Sequence, residues 1–571
     1  MSPPAVGSFA LVLHAHQPFV LGHGRWPHGS DWLCESVVQC YLPLLRTLRA
    51  LVQHGTVPHV TISFSPVLCE QLASPLLQEE LQLFLDARLR ACTETANYFR
   101  HIREDNLATL TDYWARFYQD TLDLLQALDG NILGAFRSLV EQRAVEAITS
   151  AATHGYLPLL GSDESVNLQL QLAVLTHETH FGCRPQGIWL PEGAYRPRYH
   201  WIPPVGANRE QRRALRRGVE EFLADYHLEF FFADSHLILG GRPLPLYEDY
   251  FPHLADLRGA GREDLPQRSG ASPYRAARVS SRGGQGAAAV FFREPETAMQ
   301  VWSRERGYPG DPWYLDFHKK HIPGGLKLWR VSDKGDLAAK APYVPEHAQE
   351  RAQEHARHFA GLMAGVLRDY QQAASATGLV CALYDAELFG HWWYEGSQWL
   401  GCLWPELAQH GIEPVSCSAY LERHPPTETL TLPEGSWGEG GDHRTWLNRD
   451  TAWTWERLYD CEIEFWTAVH ENPNAAKSPL GRVLCQAGRE LLLMQASDWQ
   501  FLITSWTARD YAEQRFAAHY TDFRHLMEIA RHVRERGQLE QDDWVYLASK
   551  ERQEFLFPQL EQVLFGEQGG A

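Results

Sequence analysis

Short apolar runs, each closed by turn residues, alternate along the first two thirds of the chain with longer stretches whose apolar positions recur at helical spacing. Residues 8–14, 57–65, 187–192, 228–234, 289–293 and 379–384 read as strands, and their continuous apolar character predicts burial on both faces, as in parallel sheets under helices. Helical spacing covers 68–89, 98–128, 162–180 and 345–374, with a mixture of helix and strand over 121–154. Alternation of this kind predicts an α/β barrel. From Gly240 to Ala289 the composition shifts to Gly, Pro, Arg and Ser without periodicity, which predicts a loop-rich insertion. Residues 425–446 form a turn-rich bridge, and 450–565 are helical almost throughout. The expected organisation is therefore a barrel over 1–424, inserted at about 240–289, followed by a bridge and helical domain over 425–571.

Polar residues stand at the ends of successive predicted strands: His14 and His16, His154, Glu192, Arg293 and Asp385. In α/β barrels the C-terminal rim gathers catalytic groups, because the loops leaving the strands converge there. The organising stretch is Leu379 to Glu395, where an apolar run ends in Asp385 and Glu387 and passes into Trp392, Trp393 and Tyr394. Carboxyls beside aromatic faces suit sugar chemistry, since a pyranose packs its C–H face on a ring while an acid acts on the glycosidic oxygen. The plainer reading makes Asp385 a helix cap and each lone His a structural group.

Composition narrows the picture. A formal net charge of -19 argues against nucleic acid or an anionic membrane surface as partner. The basic run Arg209 to Arg217 is expected on a solvated helix face. The 10 cysteines include no C-x-x-C pair, which fits reduced thiols and a cytoplasmic setting. The start of the sequence has no basic and apolar leader pattern, and no apolar run reaches the roughly 18 residues a membrane span needs. The 20 Trp exceed what a core of this size requires and point to ligand-facing aromatic surfaces. His177-Glu-Thr-His180 is one residue short of a zinc-binding H-E-x-x-H, and Gly283-Gly-Gln-Gly286 lacks the strand a dinucleotide loop needs.

Five separated blocks then occur in order: His14-Ala-His-Gln-Pro18, His154-Gly-Tyr-Leu-Pro158, Gly187-Ile-Trp-Leu-Pro-Glu192, Leu383-Tyr-Asp-Ala-Glu-Leu-Phe-Gly-His-Trp-Trp393 and Ser436-Trp-Gly-Glu-Gly-Gly-Asp442. Together they resemble the sequence regions of glycoside hydrolase family 57, most closely its 1,4-α-glucan branching enzymes. The resemblance implies an incomplete (β/α)7 barrel with an inserted subdomain and a C-terminal helical domain. It also implies action on α-1,4-glucan with retention; no cofactor or metal is expected, and the protein is expected to be a monomer. By position Glu192 resembles the family nucleophile and Asp385 the general acid/base, with Glu387 the rival acid. His14, His16 and His154 resemble residues lining the subsite of the cleaved sugar. Trp189 lies within the third block, and Arg293, Trp302, Gly310, Trp437, Trp446 and Asp498 resemble substrate-contacting positions.

Two departures weaken the match to branching relatives. Ser505-Trp-Thr507 stands where they carry Thr-Gly-Gln, and Pro273-Tyr-Arg-Ala-Ala-Arg278 replaces a compact lid motif, keeping at most Tyr274. A lid that admits water favours hydrolysis over transfer. An α-amylase-like hydrolase or 4-α-glucanotransferase is therefore the alternative. A metal-dependent carbohydrate hydrolase or deacetylase is a second, resting on the paired His14 and His16, and a non-catalytic glucan-binding protein a third.

Overall fold

The computed structural model describes residues 5–240, 251, 253, 254, 257, 271–303, 306–332 and 336–566. Seven parallel strands form the centre: β1 (Gly7–Ala15), β2 (Val60–Phe64), β3 (Val145–Ser150), β4 (Gly187–Trp189), β5 (Phe230–Asp234), β6 (Ala288–Arg293) and β7 (Gly378–Asp385). Their order is β7-β1-β2-β3-β4-β5-β6. The closing edge between β6 and β7 carries no ladder among the described residues; Glu294 N–H donates to the Cys381 carbonyl across it at 3.0 Å. The fold is thus an incomplete (β/α)7 barrel. Every residue of β1 is buried, as is every residue of β7 except Asp385, which is why these strands read as unbroken apolar runs. β1 and β7 pair from Gly7↔Gly378 to His14↔Asp385, so the first histidine and the acid arrive at the rim side by side.

Helices α1 (Pro75–His101) and α2 (Asp105–Ala127) form a hairpin between β2 and β3. The expected helix over 68–89 breaks in two, because the Ser74 side chain caps α1 at Leu76 N and Pro75 cannot continue the preceding helix. α3 (Asp163–Phe181) precedes β4, and α4 (Pro345–Ala374) covers the barrel before β7. Of the run Arg209 to Arg217, only Arg209–Arg212 form a short 3-10 turn, with no buried residue, and the rest is not helical. Residues Ala214–Arg216 form a strand antiparallel to Tyr199–Trp201, and Arg216 is buried in an ion pair with Asp163 at 2.5 Å.

The C-terminal segment is helical: α5 (Ala452–Glu471), α6 (Pro479–Met494), α7 (Asp498–Ser505), α8 (Arg509–Arg536) and α9 (Gln541–Gln553). Trp455 and Trp499 are fully buried there. Most of the expected insertion lies outside the described residues. Of the rest, Ala277–Val279 pairs antiparallel with β6, and Phe251 and His253 contact Phe501 within α7 and Trp506 just beyond it. No helix among the described residues is long and apolar enough to cross a membrane.

Candidate active site

Glu192 lies just beyond β4, not on it. Pro191 ends the strand, and Glu192 takes a left-handed backbone, φ 60°, which is costly for a side chain with a Cβ. The turn is held by Trp437 N–H donating to the Glu192 carbonyl at 3.3 Å. At Gly193, also left-handed, a Cβ would lie 2.3 Å from the Trp437 indole, so only glycine allows that approach. His154 is likewise left-handed, and its carbonyl accepts from Ser497 N–H at 3.1 Å.

These turns converge on one cluster. His14 Nε2 and His154 Nε2 are 3.0 Å apart, and His154 Nδ1 lies 2.9 Å from Ser497 Oγ. Ser497 Oγ is in turn 2.8 Å from Glu192 Oε1. His16 stacks on His154 at 3.9 Å, places Nδ1 at 2.8 Å from Ser65 Oγ and faces the Asp498 carboxylate with Nε2 at 3.1 Å. Trp189 lies flat under His14, centroids 4.7 Å apart, and meets Trp437 at 5.0 Å. Glu192, His16 and Asp498 remain 10–15% exposed, so water reaches the acids while the surroundings are closed. Asp385 is the one partly exposed residue of its strand.

Burial is the largest cause of the raised pKa of both carboxyls. Glu192 is pushed up to about 8, with Asp498 and Asp385 adding to the effect. Asp385 is pushed up to about 6, against which His16 and Arg293 act. Glu387 does not continue the strand: it sits in a turn, its Oε1 accepting from the Tyr41 hydroxyl and from His16 N–H at 3.0 Å. Burial raises it to about 8. Its acceptor positions go to the scaffold, which separates it from Asp385.

Arg293 is buried, forms an ion pair with Asp234 and stands 5.4 Å above the Trp437 ring. Burial alone would raise Asp234, but Arg293 and His236 hold it below the usual carboxylate range. Trp302 is half-buried, its ring 6.4 Å from that of Trp392 near the end of β7. Trp446 does not wall a groove: it is fully buried, packed 4.7 Å from Tyr156. Gly310 lines a separate cavity of about 450 Å³ with Tyr308, Arg351, His355 and His358 on the flank of α4. Trp506, in the departing Ser505-Trp-Thr507, is 61% exposed and stacked by His253 at 4.8 Å. Tyr274 is no lid over the acids. Its carbonyl accepts from Leu379 N–H at 2.8 Å, roughly 20 Å along β7 from Asp385, and its ring packs on Tyr370 of α4.

Sequence reasoning missed Ser497, Ser63, Tyr41, Asp234 and His236. Ser497 adjoins the selected Asp498, so the block was visible but its hydroxyl was not. His16, His154 and Asp498 offer donor atoms within 4.8 Å of one another and could hold a divalent cation; the acid absent from the first strand is supplied by α7. A second trio, Glu490, His519 and Glu554, is crowded by Arg515 and Lys550, whose charges oppose a cation.

A barrel carrying buried, partly accessible acids among stacked aromatics has the make-up of a glycoside-processing enzyme. The chain belongs to glycosyl hydrolase family 57, whose model matches residues 10–433; residues 457–565 match the model described as 1,4-alpha-glucan branching enzyme, C-terminal. It is 39% identical over 533 residues to 1,4-alpha-glucan branching enzyme TK1436 of Thermococcus kodakarensis, covering 92% of this chain and 74% of the relative. Among solved structures it resembles the GH57-type branching enzyme of Pyrococcus horikoshii, TM-score 0.87 at 38% identity, over 99% of this chain and 98% of that one. It also resembles the α-amylase AmyC of Thermotoga maritima, TM-score 0.78 at 25% identity, over 98% and 99%.

Proposed function

We propose that the chain is a 1,4-α-glucan branching enzyme using Glu192 as nucleophile and Asp385 as general acid/base. The observation that carries the reading is the approach of these two acids, from the far ends of β4 and β7, to one histidine cluster in a family 57 barrel. Glu192, ionised, attacks the anomeric carbon while Asp385 gives its proton to the glycosidic oxygen; the C1–O4 bond breaks and a glycosyl ester forms. Asp385, now ionised, takes the proton of an acceptor 6-hydroxyl, whose oxygen displaces Glu192 and closes an α-1,6 link with retention. His14, His16 and His154 hold the cleaved sugar, with Trp189 and Trp437 beneath it. Residues 1–424 form the catalytic unit, and 425–571 supply the bridge and the helices carrying Ser497 and Asp498. The protein acts in the cytoplasm as a monomer on a neutral α-glucan.

The test is linkage analysis of amylose after incubation. New α-1,6 links without a matching rise in reducing ends are expected. Reducing ends rising alone would instead assign the α-amylase-like activity, the alternative raised by the departure of Pro273-Tyr-Arg-Ala-Ala-Arg278 from the lid motif.

A further inference from the structure

Glu387 takes no part in the chemistry proposed for the two acids, yet it ties three segments together beside the histidine cluster. Its Oε1 accepts from the Tyr41 hydroxyl and from the His16 backbone N–H at 3.0 Å. Its carbonyl accepts from His391 N–H at 3.3 Å and from the Cys40 thiol at 3.4 Å. Cys40 and Tyr41 belong to Val37–Tyr41, a turn of π-helix in which Leu42 N–H reaches back five residues to the Val37 carbonyl. The extra residue in that turn rotates the side chains that follow by roughly 100° about the axis. Gly390 lets the loop after β7 pass against this turn: at φ 127°, a Cβ there would fall 1.7 Å from the Gln39 carbonyl oxygen.

β1 ends at Ala15, and its ladder to β2 stops at the Ala15–Phe64 pair, so the His16 N–H lies past the sheet. A backbone N–H on this largely closed rim needs another acceptor, and Glu387 supplies it. The imidazole depends on where that backbone is set. Its Nδ1 is 2.8 Å from Ser65 Oγ, its Nε2 is 3.1 Å from the Asp498 carboxylate, and its ring centroid is 3.9 Å from that of His154. His14, by contrast, sits within the ladder opposite Asp385, with its ring between Ser63 Oγ at 3.1 Å and His154 Nε2 at 3.0 Å. Removing the Glu387 carboxylate therefore frees the backbone at His16, while His14 stays where the sheet holds it.

We propose that Glu387 is a positioning residue for His16: braced by Tyr41 of the π turn, it fixes the His16 backbone and so sets the imidazole against the cleaved sugar and Asp498. The inference deepens the reading of His16 as a sugar-holding group and rests on it. Glu387 transfers no proton and makes no bond to the sugar; one carboxyl oxygen receives two donors from separate segments. An acceptor of this kind is distinguishable from the acid/base that its place in the sequence suggests. An amide oxygen accepts the same two bonds, so Gln serves nearly as well as Glu, whereas a general acid replaced by its amide loses its function. A misplacement of about 1 Å in a substrate-holding group costs up to about a hundredfold in rate.

The experiment measures kcat and KM on amylose, and the Kd of maltoheptaose, for the wild type, E387A, E387Q, Y41F, H16A and the H16A/E387A double variant. E387A is expected to lower kcat/KM roughly ten- to a hundredfold and to weaken maltoheptaose binding roughly tenfold. E387Q recovers both to within about threefold of wild type, and Y41F, which leaves the bond to His16 in place, falls between. In the H16A background E387A changes neither readout by more than about twofold, because its effect passes through the imidazole. An E387Q protein as inactive as D385N makes Glu387 an acid and overturns the proposal. So does an E387A loss that persists undiminished in H16A. Thermal melts reveal a folding defect in E387A; Y41F, alone and in the H16A background, then carries the same comparison. A wild type that binds maltoheptaose but turns over no α-glucan overturns the proposed catalysis, and the Kd series alone then upholds or overturns the role of Glu387.

Discussion

His14 and His154 face each other through their Nε2 atoms at 3.0 Å, a contact that neutral imidazoles satisfy only when one presents a proton and the other a lone pair. Replacing His14 with Ala therefore strands a buried ring nitrogen on His154. The expected cost is about 1–3 kcal/mol in stability, and kcat/KM falls by roughly tenfold or more as the Glu192 side loses its support. Thermal unfolding and initial rates on amylose check both.

Glu192→Gln and Asp385→Asn keep the shape of the site and remove its chemistry. Each is expected to lower kcat by at least about a thousandfold while leaving the circular dichroism spectrum unchanged, the pattern seen when one member of a catalytic unit is removed. A rate within tenfold of wild type in either variant would strip that residue of its role.

Glu192 at about 8 and Asp385 at about 6 give a pair that loses its protons in two steps. Turnover needs one proton on the pair, so kcat/KM is expected to be bell-shaped with limbs near those two values. The ordering also means that in the free enzyme the shared proton sits mainly on Glu192, the reverse of what the reaction requires. Positive charge developing at the sugar's C1 then favours ionised Glu192. A pH profile of kcat, set beside that of kcat/KM, is expected to show a shifted basic limb in the bound enzyme.

The same burial makes Glu192 a liability for the fold. Its carboxyl would titrate near 4.5 in the unfolded chain and near 8 in the folded one. Between those values the unfolded state releases a proton that the folded state keeps, so stability falls as pH rises through that window. Glu192→Gln is expected to melt higher than wild type at pH 8 and at the same temperature at pH 4. Paired melts at the two pH values decide it.

Exhaustive chelation is expected to leave activity unchanged. In the trio His16, His154 and Asp498 the ring nitrogens are already engaged: His16 Nε2 with Asp498, His154 Nε2 with His14 and His154 Nδ1 with Ser497. Loss of activity on chelation, restored by one divalent metal, would convert this cluster into a metal centre.

The elements that read most clearly in the sequence are those fixed by periodicity alone. Residues 345–374 match α4 from end to end, and β7 ends at Asp385 where the apolar run ends. Side-chain direction after a strand was less legible. Glu192 reads as a strand's last residue, but Pro191 stops the strand two positions earlier and a left-handed turn aims the carboxyl. Glu387 reads as a second acid on the same face, but the turn hands it to Tyr41. The basic run at 209–217 carries the composition of a solvated helix, and 209–212 do form a short solvent-facing turn, but Arg216 is drawn inward by Asp163 and 214–216 pair as a strand. Trp446 shows how little an indole's identity says about exposure, since the same ring serves a core or a groove equally well. Ser63 and Ser497 left no pattern at all, because a lone hydroxyl on a strand or before a helix acquires meaning only from partners hundreds of residues away.

Ser497 and Asp498 come from the start of α7, near the end of the polypeptide, while the groups they complete belong to strands made long before. The site is therefore assembled from both ends of the polypeptide: the barrel strands bring the two acids to the rim, and Glu192 and His16 gain their hydroxyl and carboxylate neighbours only where α7 packs against it.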